Sequence, residues 1–426
     1  MTMPFPACFK DIHWRGVVSS GVCALRSGLR LVYLFCSVLG IWGGSAALAA
    51  PYIPEDDAEV LLVLPPSFLQ GRALQQAHIN EVARLDQALP LARQYLNLAE
   101  LDGDPRWYGK AQSVLMPWWE SALVPDHFRL FKARILQHKH LFDDAMEELD
   151  LVLIHQPQHV EARLNRAQIH LLQGRSELAR KDCKYLALLT TADITLNCVA
   201  QVDGVTGQGE QTIEYLKQIL ANRTLSVEAR YPIWVTLATV AHRLEYSRLA
   251  ESLYRKCLEY RPDDRYVLNH YADFLLERGK TGVLTTLLQN QSDLSLKIKL
   301  TEAYIQQGDS RATESLASLD EAIELEQLAF ATGRQEIVRS DKTIAQYYLR
   351  LAHRPQQAFE AAMRNWQTQK EPGDTRLVLE AALAADRMNA LQPVLQFVAD
   401  TRLQDSRIDQ LLAKVSARLQ ENRHES

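Results

Sequence analysis

A 34-residue period in the placement of alanine constrains this chain more than any other feature. Ala133 and Ala167 stand 34 apart, as do Ala238 and Ala272. Twelve residues after the first three come Ala145, Ala179 and Ala250, with Leu284 in the fourth place. Pro157 and Pro262 each follow an alanine of that second column by another twelve. Small residues at two fixed columns let helix backbones approach closely, and a proline that cannot continue a helix forces the chain into the next unit. Such a unit cannot bury its apolar face alone and must stack on its neighbours. The pattern is clearest between Ile233 and Pro262. Trp234, Leu237, Ala238 and Ala241 share one helical face at i, i+3, i+4, i+7, and Leu249, Ala250, Leu253, Tyr254 and Cys257 share a face of a second helix.

A unit of this length and pattern resembles the tetratricopeptide repeat family, with Trp234 and Tyr254 at its large-residue columns. The resemblance implies an all-α fold, a right-handed superhelical solenoid of antiparallel helix pairs. Units are expected at 126–159, 160–192, 193–225, 231–264, 265–292 and 293–312. Gly174 and Gly279 mark the turn inside the second and fifth; the third is degenerate, with Ala200, Gly207 and Thr212 at its key columns. Asn97 and Gly109 mark a further unit upstream, whose turn is Gly103-Asp-Pro-Arg-Trp107. That run, with Pro117-Trp-Trp119, resembles a group of exported bacterial repeat proteins and implies no activity. Beyond residue 312 the period fades while helical patterning persists over Thr313–Thr332, Lys342–His353, Pro355–Lys370, Thr375–Arg387, Leu391–Thr401 and Ser406–Glu421. The expected organisation is a repeat array over 71–312, then degenerate repeats and a polar capping helix over 313–426.

The N-terminus reads as an export signal over residues 1–49. A basic stretch ending in Arg30 leads into the apolar run Leu31–Trp42, then Gly43-Gly-Ser-Ala-Ala-Leu-Ala-Ala50, where Ala47-Leu-Ala49 suits signal peptidase. Cleavage after Ala49 implies a periplasmic protein. The alternative is an uncleaved inner-membrane anchor, since residues 31–50 carry no charge over about the length that spans a bilayer. Residues 50–70, with two proline clusters, read as an extended arm packing on the first helices. Once the signal is removed, Cys183, Cys198 and Cys257 remain. Three cysteines are no disulfide framework. Cys183 and Cys198 could pair in an oxidising compartment if their helices touch; otherwise they are buried thiols.

The chain carries a net charge of −5, and the signal segment holds Lys10, Arg15, Arg26 and Arg30 against Asp11 alone, so the body is more acidic still. With no long basic stripe, nucleic acid is disfavoured as a partner. No catalytic motif is present: no Gly-x-Ser-x-Gly elbow, no His-Glu-x-x-His, no Gly-Lys-Ser/Thr phosphate loop. Asp203-Gly-Val-Thr-Gly-Gln-Gly209 reads as a turn between helices of the third unit. His138, His140, His155, His159, His170 and Cys183 are clustered in sequence, but the repeat register sends them to opposite edges of the solenoid, so no metal site is expected. Asn222-Arg-Thr224 and Asn290-Gln-Ser292 match the glycosylation acceptor and read as chance occurrences in a bacterial protein. No enzyme activity and no cofactor is therefore expected.

In the tetratricopeptide family the first helix of each unit lines a concave groove that receives a peptide or partner helix. Carrying over its solvent-facing columns gives His127, Leu130, Arg134 and His138; Glu161, Leu164, Gln168 and Leu172; Val235, Thr239 and Arg243; and Tyr266, Asn269, Asp273 and Glu277. The carboxylate clamp of one family branch is missing, since Leu130, Leu164 and Val235 stand where its lysine would be. The function this implies is an exported scaffold or adaptor holding a protein or peptide partner in its groove. The alternatives are a subunit of an envelope enzyme with a site in the C-terminal helices, or a membrane-tethered structural component.

Overall fold

The computed structural model describes residues 84–102, 104–331 and 340–425. The expected signal segment and the extended arm at 50–70 lie outside the described residues. Within them the chain is all-α, with nineteen α-helices and three short 3-10 turns. The helices pack as consecutive antiparallel pairs joined by tight turns. They are α1 (Leu85–Asp102) with α2 (Arg106–Leu115), α3 (Asp126–His138) with α4 (Phe142–His155), α5 (Val160–Leu172) with α6 (Ser176–Tyr185), and α7 (Ala192–Asp203) with α8 (Gly209–Ala221). Next come α9 (Val227–Arg243) with α10 (Ser247–Tyr260), α11 (Arg265–Glu277) with α12 (Thr281–Leu288), and α13 (Leu294–Gln307) with α14 (Arg311–Ala331). The last are α15 (Asp341–Arg350) with α16 (Pro355–Thr368), then α17 (Pro372–Ala384), α18 (Gln392–Thr401) and a final α19 (Ser406–Glu425), with α17 packed on α16 and α19.

The alanine columns lie where the period puts them. Ala133, Ala145, Ala167, Ala179, Ala238, Ala250 and Ala272 are all buried, as is Leu284. Around them Trp234, Leu237, Leu253, Tyr254, Cys257 and Phe274 belong to one continuous core that runs from α7 to α13. Burying each such large side chain contributes roughly 1.5–3 kcal/mol, so neighbouring pairs hold one another in place.

The turns repeat more faithfully than the sequence does. His140, Gly174, Gly207, Glu245, Gly279 and Gly308, each between the two helices of a pair, all have positive φ, from 59° to 81°. The next residue donates its amide to the carbonyl five positions earlier: Arg175 to His170 at 2.7 Å, Tyr246 to Ala241 at 2.8 Å, Lys280 to Leu275 at 2.8 Å. This 6→1 bond satisfies a helix-end carbonyl that would otherwise lack a partner. The same geometry recurs at Asp386, where Arg387 donates to Ala382 at 2.9 Å. Pairing thus runs past residue 312, through α13–α14 and α15–α16, and the turn recurs after α17.

Polar side chains open the first helices. Ser226 Oγ accepts from Ala229 N at 3.2 Å, Asp264 Oδ1 from Val267 N at 3.0 Å and Asp293 Oδ1 from Leu296 N at 3.1 Å. The Ser226 cap starts α9 at Val227, ahead of the boundary at residue 231 expected from the repeat, and takes Pro232 inside the helix. Cys183 on α6 and Cys198 on α7 are joined by a disulfide with their Cα atoms 5.4 Å apart, and Cys257 is a buried free thiol. No helix among the described residues is long and apolar enough to cross a membrane.

Candidate binding chamber

The concave side of the array is not an open groove. The C-terminal helices cross back toward it and narrow it to a partly open chamber of about 890 Å³. The closing seam is made of specific contacts between residues far apart in the chain. Lys370 N, between α16 and α17, donates to Leu172 O at 2.7 Å, and Gln404 N, between α18 and α19, donates to Val205 O at 3.0 Å. Gln404 Oε1 accepts from Gly209 N at 2.9 Å. Phe397 of α18 lies so close to Gly174 that a Cβ there would come within 2.5 Å of its ring.

Glu277, at the end of α11, ties the seam together. It accepts from Arg376 Nη1 at 2.5 Å, from Arg407 Nη1 at 2.7 Å and from His242 Nε2 at 2.8 Å. Burial pushes its carboxyl up, but the His242 hydrogen bond and the two guanidinium groups outweigh burial and hold it well below the usual carboxylate range. Burial also keeps His242 below the usual histidine range. Its Nε2 lies 2.8 Å from Glu277 and 3.0 Å from the Arg407 guanidinium, and its Nδ1 lies 3.2 Å from the Tyr254 hydroxyl.

The chamber wall is rich in charge, most of it paired. Arg134 pairs with Glu100, and Lys299 with Asp273. Arg265 meets Asp293 at 3.2 Å, Lys342 meets Asp374 at 2.7 Å and Arg407 meets Asp405 at 2.6 Å. Burial raises Asp273, but Lys299 and Arg376 together outweigh it and bring the carboxyl to about 2. Glu100 stays above its ordinary value because burial outweighs Arg134. His270, packed on Tyr266 with ring centroids 4.3 Å apart, is held well below the histidine range by burial and is neutral.

Of the residues carried over from the groove columns, Arg134, His138, Gln168, Leu172, Thr239, Arg243, Tyr266, Asn269 and Asp273 line the chamber. The other six do not. Leu130 and Val235 are buried in the core, and Leu164 packs on the cluster around Ala167 and Cys183. An apolar side chain at the edge of a helix face turns inward when core is within reach. Glu161 is half-buried away from the wall, His127 is exposed beside Phe131, and Glu277 serves the seam. The sequence also missed much of the wall. Lys342, Lys370, Glu371, Arg376, Asp405 and Arg407 come from the C-terminal helices. Proline punctuation at Pro355 and Pro372 located those helices, but nothing local signals that they fold across the array.

The histidines grouped in sequence have separate roles. His138 stacks on Tyr108 at 3.9 Å, and His140 stacks on Phe142 at 5.7 Å. His155 is 2.9 Å from Asp126, His159 caps α5, and His170 is buried on α5. Among the described residues no three His, Cys, Asp or Glu side chains are grouped to hold a metal ion.

No protein-family model matches the chain, and no curated protein does. Solved structures do. A tetratricopeptide repeat protein of Thermus thermophilus, TTC0263, matches with 19% identity over 45% of this chain and 98% of its own, at a TM-score of 0.37. A tetratricopeptide repeat protein of Parabacteroides merdae matches with 13% identity over 55% of this chain and 92% of its own, at 0.36. Human IFIT1, solved as a dimer with a capped RNA, matches with 14% identity over 79% of this chain and 87% of its own, at 0.38. Scores this low carry no inference about ligand or partner. The alanine columns, helix pairs and repeated turns within the chain are those of a tetratricopeptide-like helical-repeat protein.

Proposed function

We propose that this chain is an exported, non-catalytic scaffold that binds a protein partner on its concave face by admitting an extended segment of it into the chamber. The observation that carries this reading is the chamber itself. At about 890 Å³ it lies at the upper end of the roughly 300–1,000 Å³ range of well-formed binding pockets, and first-helix columns of four units line it. A whole partner helix laid in an open groove fits less well, because the C-terminal helices occupy that side. The disulfide between Cys183 and Cys198 supports an oxidising compartment, in keeping with the signal-like segment at 1–49. The placement proposed is periplasmic, after cleavage following Ala49; retention through residues 31–50 in the inner membrane is the competing outcome.

In-cell photo-crosslinking from His138, Gln168 and Thr239, with Ile154 on the outer surface as control, tests the binding role. One protein recovered from the three wall positions and not from Ile154 supports it. Equal capture from Ile154, or none from the wall in a folded chain, counts against it. N-terminal sequencing of the protein recovered from the cell envelope tests export: a chain beginning at Ala50 supports cleavage.

A further inference from the structure

The chamber wall leaves one kind of group unmatched. Arg243 is nine-tenths buried on α9, yet among the described residues no carboxylate comes within ion-pair distance of it. Its Nη2 donates to Gly204 O at 2.9 Å and its Nε has no partner. Asp405, whose charge acts on Arg243, is held by Arg407 through both of its oxygens, at 2.8 and 2.6 Å. Lys370, which also lines the chamber, has no carboxylate within ion-pair distance among the described residues; its ammonium lies 4.8 Å from the Trp366 ring centroid and 5.6 Å from that of Phe397. In the same wall the Nδ2 of Asn165, the Nδ2 of Asn365 and the Nε2 of Gln369 are buried and have no hydrogen-bond partner. All five residues line the chamber. Each unmatched atom is a hydrogen-bond donor, and leaving a buried donor unpaired costs stability.

We infer that the chamber holds a binding site for a small oxyanion, carboxylate or phosphate, held by Arg243 and Lys370 with amide donors from α5 and from the end of α16. Charge-assisted bonds from a guanidinium and an ammonium are the strong contacts of such sites, and the amides fix the anion's orientation. Glu371, in the same wall, is engaged at the start of α17 in a capping box with Asp374. The site stands whether or not the concave face also holds a protein.

Calorimetric titration of the purified full chain with pyrophosphate and with citrate tests the site and distinguishes the two sources of anion. Saturable one-to-one binding of either is expected, weakened roughly tenfold or more by Lys370→Gln and by Arg243→Gln, and restored in part by Lys370→Arg. Circular dichroism identifies a variant that has lost its fold. Lys370 is less buried than Arg243, so Lys370→Gln carries the test if Arg243→Gln unfolds. Three results overturn the inference: no heat with either anion, binding indifferent to Lys370→Gln, or binding of a hexaglutamate peptide without either small anion. The last would assign these donors to an acidic protein segment.

Discussion

Replacing Glu277 by Gln tests whether the seam holds the chamber closed. The substitution keeps the shape and one acceptor oxygen but removes the charge that Arg376 and Arg407 share. Breaking a buried ion pair costs about 3–5 kcal/mol. Two features lower that figure here: the Glu277 side chain keeps 28% of its exposure, and the arginines retain other acids, Glu380 at 3.9 Å and Asp405 at 2.6 Å. A loss of about 2 kcal/mol at neutral pH is expected, the range of a hydrogen bond to a charged group. The pH dependence follows from the sign of the shift. The folded carboxyl sits below its ordinary value of 4.5, so the unfolded chain takes up its proton first as pH falls. The charge's contribution is complete above the unfolded value and is lost as pH falls toward the folded one. Urea unfolding should therefore show the full gap between wild type and variant at neutral pH, and a narrowing gap below about pH 4.5. Hydrogen exchange should locate the loss in α17 and α19. Equal stabilities at neutral pH, or a gap that acid leaves unchanged, would refute the role given to Glu277.

Gly174→Ala should destabilise by about 2–3 kcal/mol, combining a positive-φ penalty with a clash against Phe397, whereas Gly308→Ala, with positive φ but nothing within 4 Å of its Cβ, should cost only about 1 kcal/mol. Equal losses in thermal or urea unfolding would remove Phe397 from the seam. The disulfide closes a sequence separation of 15, so a reductant should cost about 3 kcal/mol by denaturant titration. A Cys183→Ser/Cys198→Ser variant should show the same loss without reductant and no further response to it.

The fold was legible where two signals coincided. Ala238 and Ala250 mark a helix crossing, and Pro262 ends the second helix, so α9 and α10 could be read from spacing alone. Past residue 312 the pairs persist while the period fades, and the turns explain why. The chain needs a left-handed residue between paired helices, and Gly174 and Gly279 supply it visibly. His140, Glu245 and Asp386 meet the same need without glycine, so no motif advertises the turn. The candidate site was half legible for a different reason. Helical register decides which side of a helix a residue occupies, and it put Gln168, Thr239 and Asp273 on the concave side. Register says nothing of contacts between residues 99 or 165 positions apart, such as Arg376 with Glu277 or Arg407 with His242.

Those long-range contacts decide what the concave face can admit. A helical-repeat array is held mainly by neighbour-to-neighbour packing, so a block that touches distant units through a few polar bonds opens at less cost than the array unfolds. The seam here combines a salt-bridged carboxylate, one ring-to-glycine contact, a small set of backbone bonds and the packing of Val205 on the C-terminal core. Opening would expose the wall to a long segment; closure would enclose a small ion. Glu277→Gln therefore separates the two proposals. If a protein partner must displace the C-terminal helices, the variant should crosslink more of it from Gln168 and Thr239, because less is lost on opening. If an oxyanion is held between Arg243 and Lys370, the same variant should bind it more weakly, because those two residues sit on opposite sides of the seam. A variant that changes neither would place both sites on a wall that never moves.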